Sequence, residues 1–559
     1  MLGDVKRRVS AKVDPAGWLA AGATVAKNAA LNPAGVAAAT GRLAAGLSQI
    51  PSATMQVAVG AQDGAPAPGD ARFRDPAWAD NPAYFALLRS YLCARSFADD
   101  LVDAGSADAI TTAKAQQFAQ LLLDVAAPTN NPFTNPEVLG RAIATGGKSL
   151  ARGASYFVED VVRRGGRPLR TDENAFVLGE NMAATEGKVV YRNDLIEIIQ
   201  YAPQTESVYA TPLLACPPWI NKYYIMDIGP GRSFVEWAIR HQRTVFLISY
   251  RNPDASMQDV TFEDYLTDGV SAAMDVVGEI TGAKTIDIVG LCLGGAMASI
   301  AAGHLAGAGD TRVGTITLAN TLLDYSSPGA LGLLTDPATL ARADTLMSRR
   351  GFLDGADMAL TFDLLRANDL IFRYWISRWM LGEAPPAFDL LAWNEDSTRM
   401  PAAMHSTYLR SLYGENQLAQ NTFEVAGRTI SLGDISGDVY LVGAVDDHIV
   451  PWTSSYAGAL LFGGKVRFVL SNGGHIAGIV NPPGKKSWIE TVGAPEDGAA
   501  PLPTDPEQWR GEASRETVSW WQDWATWSAA RAGDLQSPPP MGSKRHPVLG
   551  AAPGTYVFG

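Results

Sequence analysis

Hydrophobic positions along this chain follow two different periods, and the change of period divides it. Up to about residue 170 the apolar residues recur at three- and four-residue spacing, as at Tyr84, Leu87, Leu88, Tyr91 and Leu92 and again at Phe118, Leu121 and Leu122. That spacing predicts amphipathic helices and a mainly helical N-terminal region. The first 55 or so residues are Ala-rich and helix-prone, with Pro33 interrupting them, and Gly60–Asp70 reads as a linker. Lys6, Arg7, Arg8 and Lys12 precede an uncharged run, Ala16–Ala26, in the order of a signal peptide. Only Trp18, Leu19 and Val25 give that run real hydrophobicity, so it reads as a short amphipathic helix.

Beyond residue 170 short apolar runs replace the helical pattern. Lys188–Tyr191 and Leu195–Tyr201, joined by Arg192-Asn193-Asp194, predict a hairpin. Pro212–Ala215, Val245–Tyr250, Ile286–Val289, Val313–Leu318, Val439–Val442 and Phe468–Leu470 follow, mostly with helical patterns between them. Buried strands alternating with helices predict a mostly parallel sheet. The interval from Leu323 to about Gly437 is too long for one crossover helix and predicts a helical cap insertion. The expected domains are a variable Ala-rich segment over 1–60, a helical domain over 61–172 and an α/β catalytic domain over 173–559. A Pro- and Gly-rich tail runs over about 532–559.

Composition narrows the class. Of 559 residues, 47% are apolar and 18% charged, which excludes global disorder. A net charge of −13 without a long basic block excludes a general nucleic-acid binder. Cys93, Cys216 and Cys292 are too few for a disulfide scaffold and suit a reducing compartment. No apolar run is long enough for a transmembrane segment. No Cys/His cluster has zinc spacing, so neither a metal nor a redox cofactor is implied.

The candidate chemistry lies in Thr285–Gly303, where a β-prone run enters Gly290-Leu291-Cys292-Leu293-Gly294-Gly295 and a small-residue helix leaves it. This is the Gly-x-Ser-x-Gly nucleophile elbow with Cys in place of Ser. The turn is sharp, so the residues two before and two after the nucleophile must be small where strand and helix cross. Cys292 then projects at the carboxyl edge of the sheet, the Leu293 amide serves as an oxyanion donor, and the helix N-terminus favours a thiolate. An elbow enzyme presents its acid and then its base later in the chain. Val439–Val442 leads to Asp446, Asp447 and His448, and Phe468–Leu470 leads to His475 in a Gly-rich loop. The order Cys, Asp, His is that of the α/β-hydrolase fold. His475 is the better base and His448 its competitor, while His241, His304 and His405 read as packing residues and His546 lies in the tail. Spacing does not separate Asp446 from Asp447. A second oxyanion donor is expected on the Trp219, Ile220 and Asn221 backbone, in the loop after Leu213–Ala215, where Cys216 reads as packing.

These residues resemble those of polyhydroxyalkanoate synthases. The similarity runs through Arg72–Trp78 (RFRDPAW), Glu180–Tyr201, Pro217–Asp227 (PPWINKYYIMD), Ser249–Met257 and the GLCLGG box. It continues through Pro385–His405, Asp447–Trp452 (DHIVPW), Gly473–Pro483 (GGHIAGIVNPP) and Ser519–Trp527 (SWWQDWATW). The length resembles the single-subunit class I/II type. The resemblance implies Cys292 as nucleophile, Asp447 as acid and His475 as base. It implies (R)-3-hydroxyacyl-CoA as substrate, a growing polyester as product, and storage-granule location in the cytoplasm. A homodimer and contact with the polymer granule surface and granule-associated proteins are implied in the same way. Arg366, Arg373, Arg378 and Arg399 are candidates to meet the CoA phosphates. Trp520, Trp521, Trp524 and Trp527 recur at helical spacing and read as core. The rival readings are a Cys-nucleophile thioesterase or polyester depolymerase of the same fold, and a nonenzymatic granule-coating protein.

Overall fold

A computed structural model describes residues 15–61, 70–496 and 501–559. The expected linker, except for its ends, and the basic residues Lys6, Arg7, Arg8 and Lys12 lie outside the described residues. The chain forms two compact units, one made of residues up to Asp172 together with Asp357–Ala387, the other of Glu173–Ala356 with Phe388–Gly559.

The first unit is helical. Helices Pro15–Ala30, Pro33–Ala58, Pro82–Ala104, Ala109–Val125, Pro136–Ala144 and Lys148–Arg164 make up most of it. Their starts are written in the sequence: Asn32, Asn81, Asp108 and Asn135 each cap a following helix by accepting from its first amides. Pro33 therefore opens a helix, where its missing N–H costs nothing. Leu88 and Tyr91 are core, with Tyr84, Leu87 and Leu92 packed against them, which is the face the spacing marked out. Leu122 breaks that pattern at 54% exposure. Polar locks add to it: half-buried Arg72 of the RFRDPAW segment bonds Asp70, Asp124 and Asn368, and buried Arg378 is held by Asp160. The interval expected as a cap is not one body, because Asp357–Ala387 groups with these helices and its flanks with the sheet.

The second unit is built on an eleven-stranded sheet. We number its strands β1 (Gly187–Arg192), β2 (Ile196–Tyr201), β3 (Leu213–Cys216), β4 (Val245–Tyr250), β5 (Ile286–Leu291), β6 (Val313–Ala319), β7 (Val439–Ala444), β8 (Val466–Ser471), β9 (Ile489–Thr491), β10 (Ser514–Glu516) and β11 (Gly550–Ala551). The spatial order is β10-β9-β8-β7-β6-β5-β3-β4-β2-β1-β11. Strands β4, β3, β5, β6, β7 and β8 are mutually parallel. They are near-continuous apolar runs because helices cover both faces. The exchange of β3 and β4 in this order, with β1 and β2 an antiparallel hairpin beside them, is the α/β-hydrolase arrangement. Asn193 makes the hairpin turn by accepting from the Leu195 and Ile196 amides at 2.9 and 2.7 Å. The outer strands, β9 and the edge strand β10 at one side and the edge strand β11 at the other, come from segments without a strand pattern. No helix among the described residues is long and apolar enough to cross a membrane.

Candidate active site

Strand β5 ends in Leu291, and the helix Leu293–Gly307 starts directly after Cys292. Cys292 makes the turn with φ 50° and ψ −120°, a conformation costly for a residue with a side chain. The turn can be this tight only with glycine on either side. A Cβ on Gly290 would lie 2.4 Å from Gly295 Cα, and one on Gly294 would lie 2.1 Å from the Cys216 carbonyl oxygen. The Cys292 amide is tied to the Ala319 carbonyl at the end of β6. Cys292 is half-buried, and the Leu293 N–H, first in its helix, has no intrahelical acceptor.

Strands β7 and β8 deliver the other two side chains to the same edge. His475 Nδ1 lies 2.7 Å from Asp447 Oδ2. The other Asp447 oxygen accepts from the Ile449 and Val450 amides at 2.9 Å each, so the carboxylate is fixed. Asp446 is exposed, and the imidazole that meets Asp447 is His475 rather than His448. His475 is pushed up to about 10: burial pulls it down, but the Asp447 carboxylate and a Cys292 thiolate, each hydrogen-bonded to the ring, outweigh that. The arrangement brings a thiol to an imidazole that a carboxylate holds charged, the setting in which a cysteine can serve as a nucleophile.

The supports of His475 were not legible in the sequence. Asn320 Nδ2 donates to the His475 carbonyl oxygen at 2.6 Å. Asn320 sits just past β6 at φ 48°, a left-handed position that asparagine tolerates. The indole N–H groups of Trp520 and Trp521 donate to the Gly478 and Ile479 carbonyls, at the end of the short helix His475–Ile479. All four tryptophans of that group are buried, as the core reading expects. Two of them also anchor the helix that carries His475. Trp520→Phe is therefore expected to lower turnover about ten- to a hundredfold by loosening His475. The check is kcat, with the unfolding midpoint as control.

The loop after β3 starts beside the elbow, since a Cβ on Gly294 would also come 2.6 Å from the Pro217 carbonyl. It is fastened further on: the Trp219 carbonyl accepts from Thr398 and the Lys222 carbonyl from Trp393, and Asn221 bridges Ser397. Cys216 is wholly buried, and burial pushes its thiol up to about 12, so it stays protonated. Arg378 is committed to Asp160, Arg366 pairs with Asp369, and Arg399 lies over the Phe352 ring. His241 and His546 bond the Trp237 carbonyl and Glu279.

His405 is buried with neither ring nitrogen hydrogen-bonded, and burial lowers it to about 4 against a weaker upward pull from Asp344. A depressed base contributes stability that is present above its unfolded value and lost as pH falls. From about 6.5 down to about 4 the wild type should therefore lose roughly 3 kcal/mol more than His405→Phe. Chemical denaturation of both proteins at the two pH values measures this.

The fold and this edge define an α/β-hydrolase-fold protein with a cysteine at the nucleophile elbow. Residues 230–482 match the model of the alpha/beta hydrolase fold, and 69–238 match that of the poly-beta-hydroxybutyrate polymerase (PhaC) N-terminus. Poly(3-hydroxyalkanoate) polymerase 1 of Ectopseudomonas oleovorans is 39% identical over 90% of this chain and 88% of its own. The poly(3-hydroxyalkanoate) polymerase subunit PhaC of Cupriavidus necator is 39% identical over 87% of this chain and 83% of its own. Among solved structures, a hydrolase from Pseudomonas aeruginosa PA01 is 16% identical, covering 53% of this chain and 94% of its own at a TM-score of 0.32. The chain belongs to the poly(3-hydroxyalkanoate) polymerase family and is an acyltransferase-type synthase.

Proposed function

We propose that this enzyme polymerises (R)-3-hydroxyacyl-CoA into polyhydroxyalkanoate and releases CoA, through an acyl thioester on Cys292. The observation that carries the reading is the cysteine elbow at positive φ, joined to a buried His475 that is hydrogen-bonded to Asp447. The Cys292 thiolate attacks the substrate thioester. The Leu293 N–H and a second amide from Trp219–Asn221 hold the tetrahedral oxyanion, each donor lowering the barrier by about 3–4 kcal/mol. The C–S bond to CoA breaks, and the CoA sulfur takes the proton from the His475 imidazolium. Neutral His475 then accepts the proton of a 3-hydroxyl group, whose oxygen attacks the acyl thioester on Cys292. The C–S bond to Cys292 breaks, an oxoester forms, and the thiolate–imidazolium pair is restored. Asp447 keeps the imidazole in the tautomer that accepts at Nε2.

Water is the competing nucleophile, and polymer forms only where it is kept from the acyl-enzyme. Burial of both Asp447 and His475 supports this outcome. The reading extends to a homodimer working at the surface of cytoplasmic polyester inclusions. The test is CoA release from (R)-3-hydroxybutyryl-CoA and (R)-3-hydroxydecanoyl-CoA, with the insoluble product weighed. Thiol release with polymer is expected from at least one of them. Release of free hydroxy acid instead would make the enzyme a thioesterase and overturn the reading.

A further inference from the structure

An aromatic wall lies next to the candidate nucleophile, and two of its polar atoms are unaccounted for. Trp219, in the loop after β3, packs edge-on against Tyr408 at 5.4 Å. Tyr408 meets Tyr413 at 5.5 Å, and Tyr413 meets Tyr325 at 4.8 Å, in each case ring centroid to ring centroid. Tyr408 and Tyr413 project from one π-helical segment, Tyr408–Gly414, a conformation often found at functional sites. Tyr325 follows β6, six residues after the Ala319 carbonyl that holds the Cys292 amide. Its backbone N–H is fixed by Asn416 Oδ1 at 2.8 Å. Burial raises Tyr325, Tyr408 and Tyr413, and negative charge at Cys292 adds to it, so the phenols stay protonated.

Within this wall the Trp219 indole N–H and the Tyr325 hydroxyl are buried, at 1% and 3% residue exposure, and neither makes a hydrogen bond. The Tyr408 hydroxyl acts on that of Tyr325, but the two do not make a hydrogen bond of normal geometry. A buried donor without a partner is destabilising and calls for an explanation. The indole N–H can only donate, and a protonated phenol has its hydrogen to give. The missing partner is therefore an acceptor that arrives with a ligand. A polyester is such a ligand: it offers a carbonyl at each repeat on an otherwise apolar chain, and beyond its terminal hydroxyl it donates nothing. The aromatic faces suit its apolar backbone.

We propose that Trp219 Nε1 and Tyr325 Oη form a subsite for the ester carbonyls of the growing chain beside Cys292. The proposal deepens the polymerase reading and rests on it for the identity of the ligand. It assigns to side chains a binding role separate from the backbone amides that would hold the oxyanion.

The test is equilibrium binding of the methyl ester of linear (R)-3-hydroxybutyrate trimer to full-length Cys292→Ala protein, which cannot turn it over. The control ligand is an ether of the same length without carbonyls. The trimer should bind at least tenfold more tightly than the ether. Adding Tyr325→Phe or Trp219→Phe should weaken the trimer about tenfold and leave the ether unchanged. Equal binding of trimer and ether to the parent protein overturns the proposal without relying on any variant. Variants that keep their unfolding midpoint and bind the trimer normally overturn it as well. If the trimer binds with this dependence but the wild type makes no polymer, the polymerase reading fails and the subsite stands. If polymer forms and the trimer shows no preference over the ether, the reverse holds.

Discussion

Cys292→Ala is expected to lower CoA release from (R)-3-hydroxyacyl-CoA by about 10⁴- to 10⁶-fold, the range seen when a nucleophile is removed from such a set. At about 1.4 kcal/mol per decade this is roughly 6–8 kcal/mol of barrier. No neighbouring thiol can substitute. Cys216 ends β3 beside the elbow but is wholly buried and held protonated near 12. The same position allows a second measurement of opposite sign. Cys292 holds φ 50° and ψ −120°, and alanine would inherit that strain. Cys292→Gly should be equally inactive yet more stable than Cys292→Ala by about 1 kcal/mol or more, because glycine adopts the turn freely. Residual polymer formation above a thousandth of wild type in the alanine variant would exclude this thiol as the nucleophile.

Asp447→Asn is expected to cost about 10⁴-fold in CoA release, with little change in fold. Asparagine can still accept from the Ile449 and Val450 amides through its oxygen. Its NH₂ would then face His475 Nδ1 as a donor. The ring would have to carry its proton on Nε2, the nitrogen that should accept. Loss of the carboxylate also removes the strongest influence holding His475 up near 10, leaving burial to pull it down. The imidazolium beside Cys292 would then be lost at neutral pH. Alkylation of Cys292 by iodoacetamide at pH 6.5 should accordingly slow at least tenfold in this variant. An unchanged alkylation rate would show that Asp447 does not govern the pair.

Much of the site could be read from the residues because the elbow imposes a local rule. Gly290 and Gly294 flank Cys292 at the one spacing that lets a strand and a helix cross this closely, and the structure meets both glycines with contacts near 2 Å for any added Cβ. The parallel strands could be read for a similar reason, since β4, β5, β7 and β8 are buried on both faces and show as near-continuous apolar runs. Spacing did not separate Asp446 from Asp447. Adjacent residues in a turn point to different sides, and which side faces His475 depends on how β7 and β8 are paired.

Resemblance pointed to the polymerase family, while the sequence by itself determined the alternation of strands and helices, the cysteine elbow and the placing of Asp and then His after later strands. These are properties of near neighbours along the chain, where period, turn chemistry and glycine placement act over a few residues. Only the tertiary structure decided the rest. It drew Asp357–Ala387 into the N-terminal unit and made outer strands of the sheet from segments with no strand pattern. It set Trp520 and Trp521 against the His475 helix and placed Tyr325 and Trp219 in one wall. Such contacts join residues tens to hundreds of positions apart. Their partners are chosen by packing and by the need to satisfy buried polar groups, and no local pattern records that choice.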